Sequence, residues 1–217
     1  MIDANEVADR VAHVRSVISD AGGTAVSLVA VTKSFGIDAL RAASSAGCDA
    51  VGENYAQELL EKVTVGLPLI DVHFIGALQS NKVRSLAGHV ALWQSVDRES
   101  VVDELGRRAP GASILIQVDT TQEPSKGGVA PELLDALRMR AESAGLIVKG
   151  LMTIGPTDGS PQDCEKSFEI LHRLVNEHGL SVCSMGMSAD YQIAVACGST
   201  MVRVGSGLFG DRVRVSP

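Results

Sequence analysis

Short apolar runs without charge alternate along the chain with longer segments in which apolar residues recur every three or four positions. Residues 3–20 are of the second kind: Val7, Val11, Val14 and Ile18 lie on one helical stripe, and Ala21-Gly22-Gly23-Thr24 closes the segment. Residues 27–33, Ser-Leu-Val-Ala-Val-Thr-Lys, are of the first kind and predict a buried parallel strand that ends in Lys33. A helix around 39–43 follows, then a short strand ending at Gly52-Glu53-Asn54 and a helix over 55–63. The alternation continues with strands at 71–76, 90–96, 113–118, 146–152, 181–185 and 200–205. Helices are expected between them at 79–86, 98–108, 131–144, 162–178 and 190–197, with a long polar loop over 119–129.

Eight strands, each followed by a helix except the last, predict a closed parallel (β/α)8 barrel, a TIM barrel, rather than an open doubly wound sheet. No linker or shift in composition divides the chain, so residues 1–217 are expected to form one domain. Closure of the barrel brings strand ends that are distant in sequence onto one rim. Lys33, Asn54, His73, Gln117, Met152, Ser184 and Arg203 occupy those positions.

Composition narrows the reading. Hydrophobic residues are 45% of the chain and aromatics only 3%, so the core must be built from Val, Ala, Leu and Ile. With 19 basic against 26 acidic residues the formal charge is −7, without a dense basic patch, so a small-molecule ligand is expected rather than nucleic acid. Cys48, Cys164, Cys183 and Cys197 lie far apart, which suggests reduced, half-buried thiols and no metal site. The acidic N-terminus and the absence of a long apolar run predict a cytoplasmic protein with no membrane segment.

Two segments carry candidate chemistry. A lysine whose stem packs among apolar neighbours loses hydration, which lowers its pKa and frees the amine to attack a carbonyl; the plain alternative for Lys33 is a strand-end lysine reaching solvent. Met201-Val202-Arg203-Val204-Gly205-Ser206-Gly207 ends a strand in Gly-Ser-Gly, where backbone N–H groups and a hydroxyl can receive a phosphate. Ser188 could add a hydroxyl or cap the helix over 190–197. An amine on the first strand facing an anion site on the last strands is what pyridoxal 5'-phosphate requires. Arg203, held against the ring nitrogen, would keep that nitrogen unprotonated and make the ring a weak electron sink; the alternative is a bridge to a carboxylate such as Asp211.

Val29-Ala30-Val31-Thr32-Lys33, Gly52-Glu53-Asn54-Tyr55, the run from His73 to Lys82, Glu123-Pro124-Ser125-Lys126-Gly127-Gly128, Gly150-Leu151-Met152-Thr153-Ile154, Ser184-Met185-Gly186-Met187-Ser188 and Met201 to Ser206 together carry a resemblance. In that order, over about residues 28–212, they resemble the pyridoxal phosphate homeostasis proteins, the YggS or PROSC family. The resemblance implies a barrel like the N-terminal domain of alanine racemase, with the cofactor in Schiff-base linkage to Lys33. It also implies Asn54 beside the cofactor, Ser188, Gly205 and Ser206 on its phosphate, Arg203 at the ring nitrogen, and Met185 and Gly186 in the phosphate loop. Phe35 and Gly36 stand where many members have a second lysine and a proline, and Val72 where a tryptophan often precedes the histidine. Lys126 is either a second cofactor contact or an exposed loop lysine. Tyr55 and Trp93 are expected to be packing residues.

Racemisation needs a base on each face of the substrate carbon. Lys33 would supply one, the chain has only Tyr55 and Tyr191 for the other, and it ends 12 residues after Gly205 (217 minus 205) with no second domain expected. The expectation is therefore a monomeric carrier that sequesters pyridoxal phosphate and supplies it to PLP-dependent apoenzymes, without catalysis of its own. A weak PLP-dependent amino-acid racemase is the alternative, and a Schiff-base aldolase of a phosphorylated sugar stands third.

Overall fold

The structure is a computed structural model that describes residues 2–123 and 126–210. Eight parallel strands close on themselves in sequence order: β1 (Ser27–Val31), β2 (Ala50–Glu53), β3 (Asp71–Phe74), β4 (Leu92–Val96), β5 (Ser113–Gln117), β6 (Ile147–Met152), β7 (Val182–Ser184) and β8 (Met201–Val204). The ring closes where β8 pairs with β1, setting Val29 opposite Arg203.

Around the barrel run α1 (Ala4–Asp20), α2 (Ile37–Ser45), α3 (Ala56–Val65), α4 (Ser80–Leu86), α5 (Glu99–Arg108), α6 (Leu134–Ser143), α7 (Pro161–Glu177), α8 (Tyr191–Ala196) and a single turn, α9 (Ser206–Phe209). The expected stripe of α1 is the buried one: Val7, Val11, Val14 and Ile18 face the core, and Asp3 caps the helix by accepting from the N–H groups of Asn5 and Glu6. The expected helix over 131–144 begins as a 3-10 turn at Pro131–Leu133 before α6. The α9 turn is an addition to the expected elements, and four residues are too few to show a helical period.

Apolar side chains divide into two layers. The larger lies between sheet and helices, with Trp93 and Phe74 among its fully buried members, their rings 6.0 Å apart. The smaller fills the barrel axis with Val29, Ala50, Leu92, Leu115, Met152 and Met201. This separation follows from the two-residue period of a strand, which sends alternate side chains to opposite faces of the sheet. Cys48, Cys164 and Cys183 are buried rather than half-buried, and burial pushes the Cys48 thiol to about 11 and Cys183 to about 12.

Candidate functional site

Along each strand the inward positions turn polar as they approach the carboxyl end. From Val29 on β1 the next inward positions are Val31 and then Lys33; on β8, Met201 is followed by Arg203 and Gly205. Buried His73, Gln94, Gln117, Ser184 and Arg203 lie on β3, β4, β5, β7 and β8.

Strand β1 ends at Val31, two residues before the expected end, so Lys33 lies in a turn closed by the Phe35 N–H donating to the Thr32 carbonyl at 3.1 Å. Ser34 takes φ of 65° within that turn, and its N–H donates to Glu58 Oε2 of α3 at 2.8 Å. On the other side of Lys33, Thr32 Oγ1 donates to Glu53 Oε1 (2.6 Å) and the Thr32 carbonyl accepts from Lys62 Nζ (2.9 Å). Lys62 also pairs with Glu53 at 2.6 Å, inside the wedge between the sheet and α3. The backbone on both sides of Lys33 is thus tied to β2 and α3.

Lys33 opens into a cavity of about 670 Å³ that it shares with Val31, Phe35, Met187, Ser188, Ala189, Arg203, Gly205, Ser206 and Gly210. Four of the expected site residues, Ser188, Arg203, Gly205 and Ser206, meet Lys33 there. Phe35 forms part of its apolar wall and packs on Phe209 with ring centroids 5.2 Å apart. Ser188 does not cap α8. Its hydroxyl oxygen instead accepts from the N–H groups of Gly205 and Gly207, each at 3.1 Å, which ties the loop after β7 to the loop after β8. Asp190 is the residue before α8, and its carboxylate accepts from the Met187 N–H at 2.6 Å.

Met185 is fully buried in the outer core. Gly186 takes φ of 94°, and a Cβ there would lie 2.6 Å from Ala194 Cβ and 2.9 Å from Tyr191 Cα, so glycine alone permits the loop to turn over α8. The Gly186 carbonyl accepts from the Arg203 N–H at 3.0 Å. Asn54 lines a neighbouring cavity of about 530 Å³, together with Tyr55, Phe74, Gln79 and Lys82, and its buried Oδ1 has no partner among the described residues. A Cβ on Gly76 would fall 2.0 Å from the Asn54 carbonyl oxygen, so the end of β3 presses directly on that residue. Tyr55, expected to pack, is 52% exposed. Neither it nor Tyr191 lines the cavity of Lys33. Lys126 is largely covered and bonded to Glu123 and the Gly155 carbonyl, which removes the exposed-lysine alternative. Asp211, the expected alternative partner of Arg203, lies outside the described residues.

Arg203 is fully buried. Nη1 donates to Ser184 Oγ and Nη2 to the Thr153 carbonyl, each at 2.7 Å, and among the described residues no carboxylate lies within ion-pair distance. Burial pulls its pKa down to about 10, against the field of Asp190. Ser184 Oγ continues to Gln94 Oε1 (2.7 Å), and Gln94 Nε2 to His73 Nδ1 (2.9 Å). Burial holds His73 down at about 4. Gln94 had escaped notice as a site residue, although an uncharged amide at the inward position after Leu92 is a legible signal.

The closed eight-stranded parallel barrel, with Lys33 and Arg203 at its carboxyl rim, has the architecture of the racemase-type barrels. The model of the alanine racemase N-terminal domain matches residues 2–213. Among its relatives, the pyridoxal phosphate homeostasis protein of Haemophilus influenzae is 38% identical over 203 residues, covering 86% of this chain and 85% of that protein. Its counterpart in Schizosaccharomyces pombe is 38% identical over 210 residues, 91% and 89% of the two chains. PipY of Synechococcus elongatus, solved with PLP bound, superposes with a TM-score of 0.83 at 32% identity, covering 94% of this chain and all of the other. Alanine racemase of Corynebacterium glutamicum shares the fold alone, at 17% identity and a TM-score of 0.76. The chain belongs to the pyridoxal phosphate homeostasis protein family.

Proposed function

We infer that this protein binds pyridoxal 5'-phosphate and serves its homeostasis, holding the cofactor through a Schiff base to Lys33. The observation that carries this reading is the shared cavity: one amine, one buried guanidinium and a Ser-Gly cradle on three adjoining loops. The donor set suits the ligand. Lys33 supplies the nitrogen that bonds an aldehyde carbon with loss of water. Ser188 and Ser206 supply a hydroxyl pair to a phosphate, and Gly205, without a side chain, leaves the approach to them open. Ser188 Oγ already accepts two N–H bonds, so its own proton is available to an anion. Arg203 would present only donors to the ring nitrogen, and Asn54, from the neighbouring cavity, would turn toward the cofactor an amide oxygen that has no partner among the described residues. Met185 anchors the phosphate loop from the core while Gly186 turns it.

Residues 1–217 act as one cofactor-binding domain in this reading, a monomer of the cytoplasm that loads PLP-dependent apoenzymes. Among the described residues no helix is long and apolar enough to cross a membrane. Turnover of amino acids is not expected, because neither tyrosine lines the cavity as an opposing base and an unprotonated ring nitrogen withdraws electrons weakly. Equilibrium dialysis of the cofactor-free protein against pyridoxal 5'-phosphate tests binding, with one molecule per chain expected. Mixing the loaded protein with a PLP-dependent apoenzyme should restore that enzyme's activity, while the carrier alone leaves L- and D-alanine unchanged; racemisation at rates typical of enzymes would overturn the carrier reading.

A further inference from the structure

The polar chain inside the barrel has a direction that its donors and acceptors dictate. A guanidinium can only donate, so Ser184 Oγ, 2.7 Å from Arg203 Nη1, must accept. The Ser184 proton is then left for Gln94 Oε1 at 2.7 Å. With its oxygen committed there, the Gln94 amide turns its NH2 toward His73 Nδ1 at 2.9 Å and Met201 Sδ at 3.2 Å. An NH2 group has no acceptor capacity, so Nδ1 carries no proton and the imidazole keeps its hydrogen on Nε2. Every residue in the run is buried: Gln94 and Ser184 are 0% exposed, Arg203 4% and His73 7%.

We propose that Gln94 and Ser184 are positioning residues, a one-way hydrogen-bond relay through which Arg203 fixes the neutral Nε2–H tautomer of His73 and is itself held in place for the cofactor's ring nitrogen. The first half concerns the free protein; the second rests on the cofactor reading above. The relay meets the guanidinium on the Ser184 side, and the Thr153 carbonyl meets it on the other. Thr153 is fixed in turn by its own hydroxyl donating to the Val118 carbonyl at 2.9 Å. Both contacts are neutral, so the charge of Arg203 is oriented but not cancelled. Burial keeps His73 neutral, as the relay requires, since a cationic ring would turn a second donor against the Gln94 amide.

Nitrogen-15 NMR of the imidazole side chains in the cofactor-free protein, with His73 assigned through His73→Gln, reads the tautomer directly. The wild type should show an unprotonated Nδ1 and a protonated Nε2. Gln94→Glu keeps the acceptor for Ser184 but presents only oxygen to His73, and should move the proton to Nδ1. Ser184→Ala, one link further from the ring, frees the amide to turn over and should give a mixture of tautomers, which simple loss of packing would not. A protonated Nδ1 in the wild type, or an unchanged ring in Ser184→Ala, overturns the relay. Dialysis against pyridoxal 5'-phosphate then tests the second half: Ser184→Ala, which takes a charged hydrogen bond from Arg203, should bind at least about tenfold more weakly than wild type. Wild-type binding with no loss in Ser184→Ala overturns the positioning role. If the wild type does not bind at all, the cofactor reading and the positioning role fail together while the tautomer result still stands.

Discussion

Among the described residues two cationic side chains are buried, and they are partnered in opposite ways. Lys62 lies outside the barrel wall, between the sheet and α3, against the carboxylate of Glu53 at 2.6 Å. Arg203 lies inside the barrel with a serine hydroxyl and a main-chain carbonyl for company. An ion pair closed on itself has no charge left to offer and secures the backbone beside Lys33. A guanidinium oriented by neutral groups keeps its charge, at a desolvation penalty that its pKa of about 10 registers. The first arrangement belongs to structure; on the function proposed above, the second serves a ligand.

The strongest challenge to this contrast is Lys62→Met. It strands the Glu53 carboxylate, whose pKa burial already raises and whose Oε2 has no partner, and should lower stability by about 3–5 kcal/mol in denaturant titration. That deficit should shrink as the pH falls, because a protonated carboxyl is no longer a buried charge. A loss that stays the same at acid pH would mean the pair is not what Lys62 supports.

Acid itself should act on the interior chain. The ordinary imidazole takes its proton near 6.5, whereas folded His73 holds out to about 4, so the unfolded state binds the proton first. Stability present at neutral pH is therefore lost between about 6.5 and 4, to a total of about 3 kcal/mol. His73→Gln should remove this part of the pH dependence.

Arg203→Met should have a smaller effect than Lys62→Met. It leaves the Ser184 and Thr153 oxygens without a donor but relieves an uncompensated buried charge, for a net loss of about 1–2 kcal/mol, while cofactor affinity falls far more. A stability loss as large as that of Lys62→Met would make Arg203 a structural cation. Smallest is Ser188→Ala, expected to shift stability by no more than about 1 kcal/mol and to weaken cofactor binding about fivefold, read by dialysis.

The eight-stranded ring was legible because each strand and helix announces its own period, and parallel strands joined by helices have few ways to close. The rim was legible for the same reason: Lys33, His73, Ser184 and Arg203 are polar at inward positions of apolar strands. What escaped depends on contacts between elements. Glu53 and Lys62 are nine residues apart on β2 and α3, and nothing local marks a lysine on a buried helix face as the partner of a strand-end glutamate. Ser188 has the look of a helix cap in the sequence, yet the loop after β8 comes close enough to claim its hydroxyl. Lys33 sits in a turn closed by the Phe35 N–H on the Thr32 carbonyl, and Thr32 is tied to Glu53 of β2 by a bond that no single strand can reveal.

Lys33 is the proposed point of attachment for a phosphorylated aldehyde in this cavity. The most direct test is borohydride reduction of the protein loaded with pyridoxal 5'-phosphate, followed by mass mapping of the peptides. A phosphopyridoxyl group on Lys33, absent from Lys33→Ala, is the result predicted. A label on another lysine such as Lys126 with Lys33 unmodified, or no label on protein that has been shown to bind the cofactor, would contradict it.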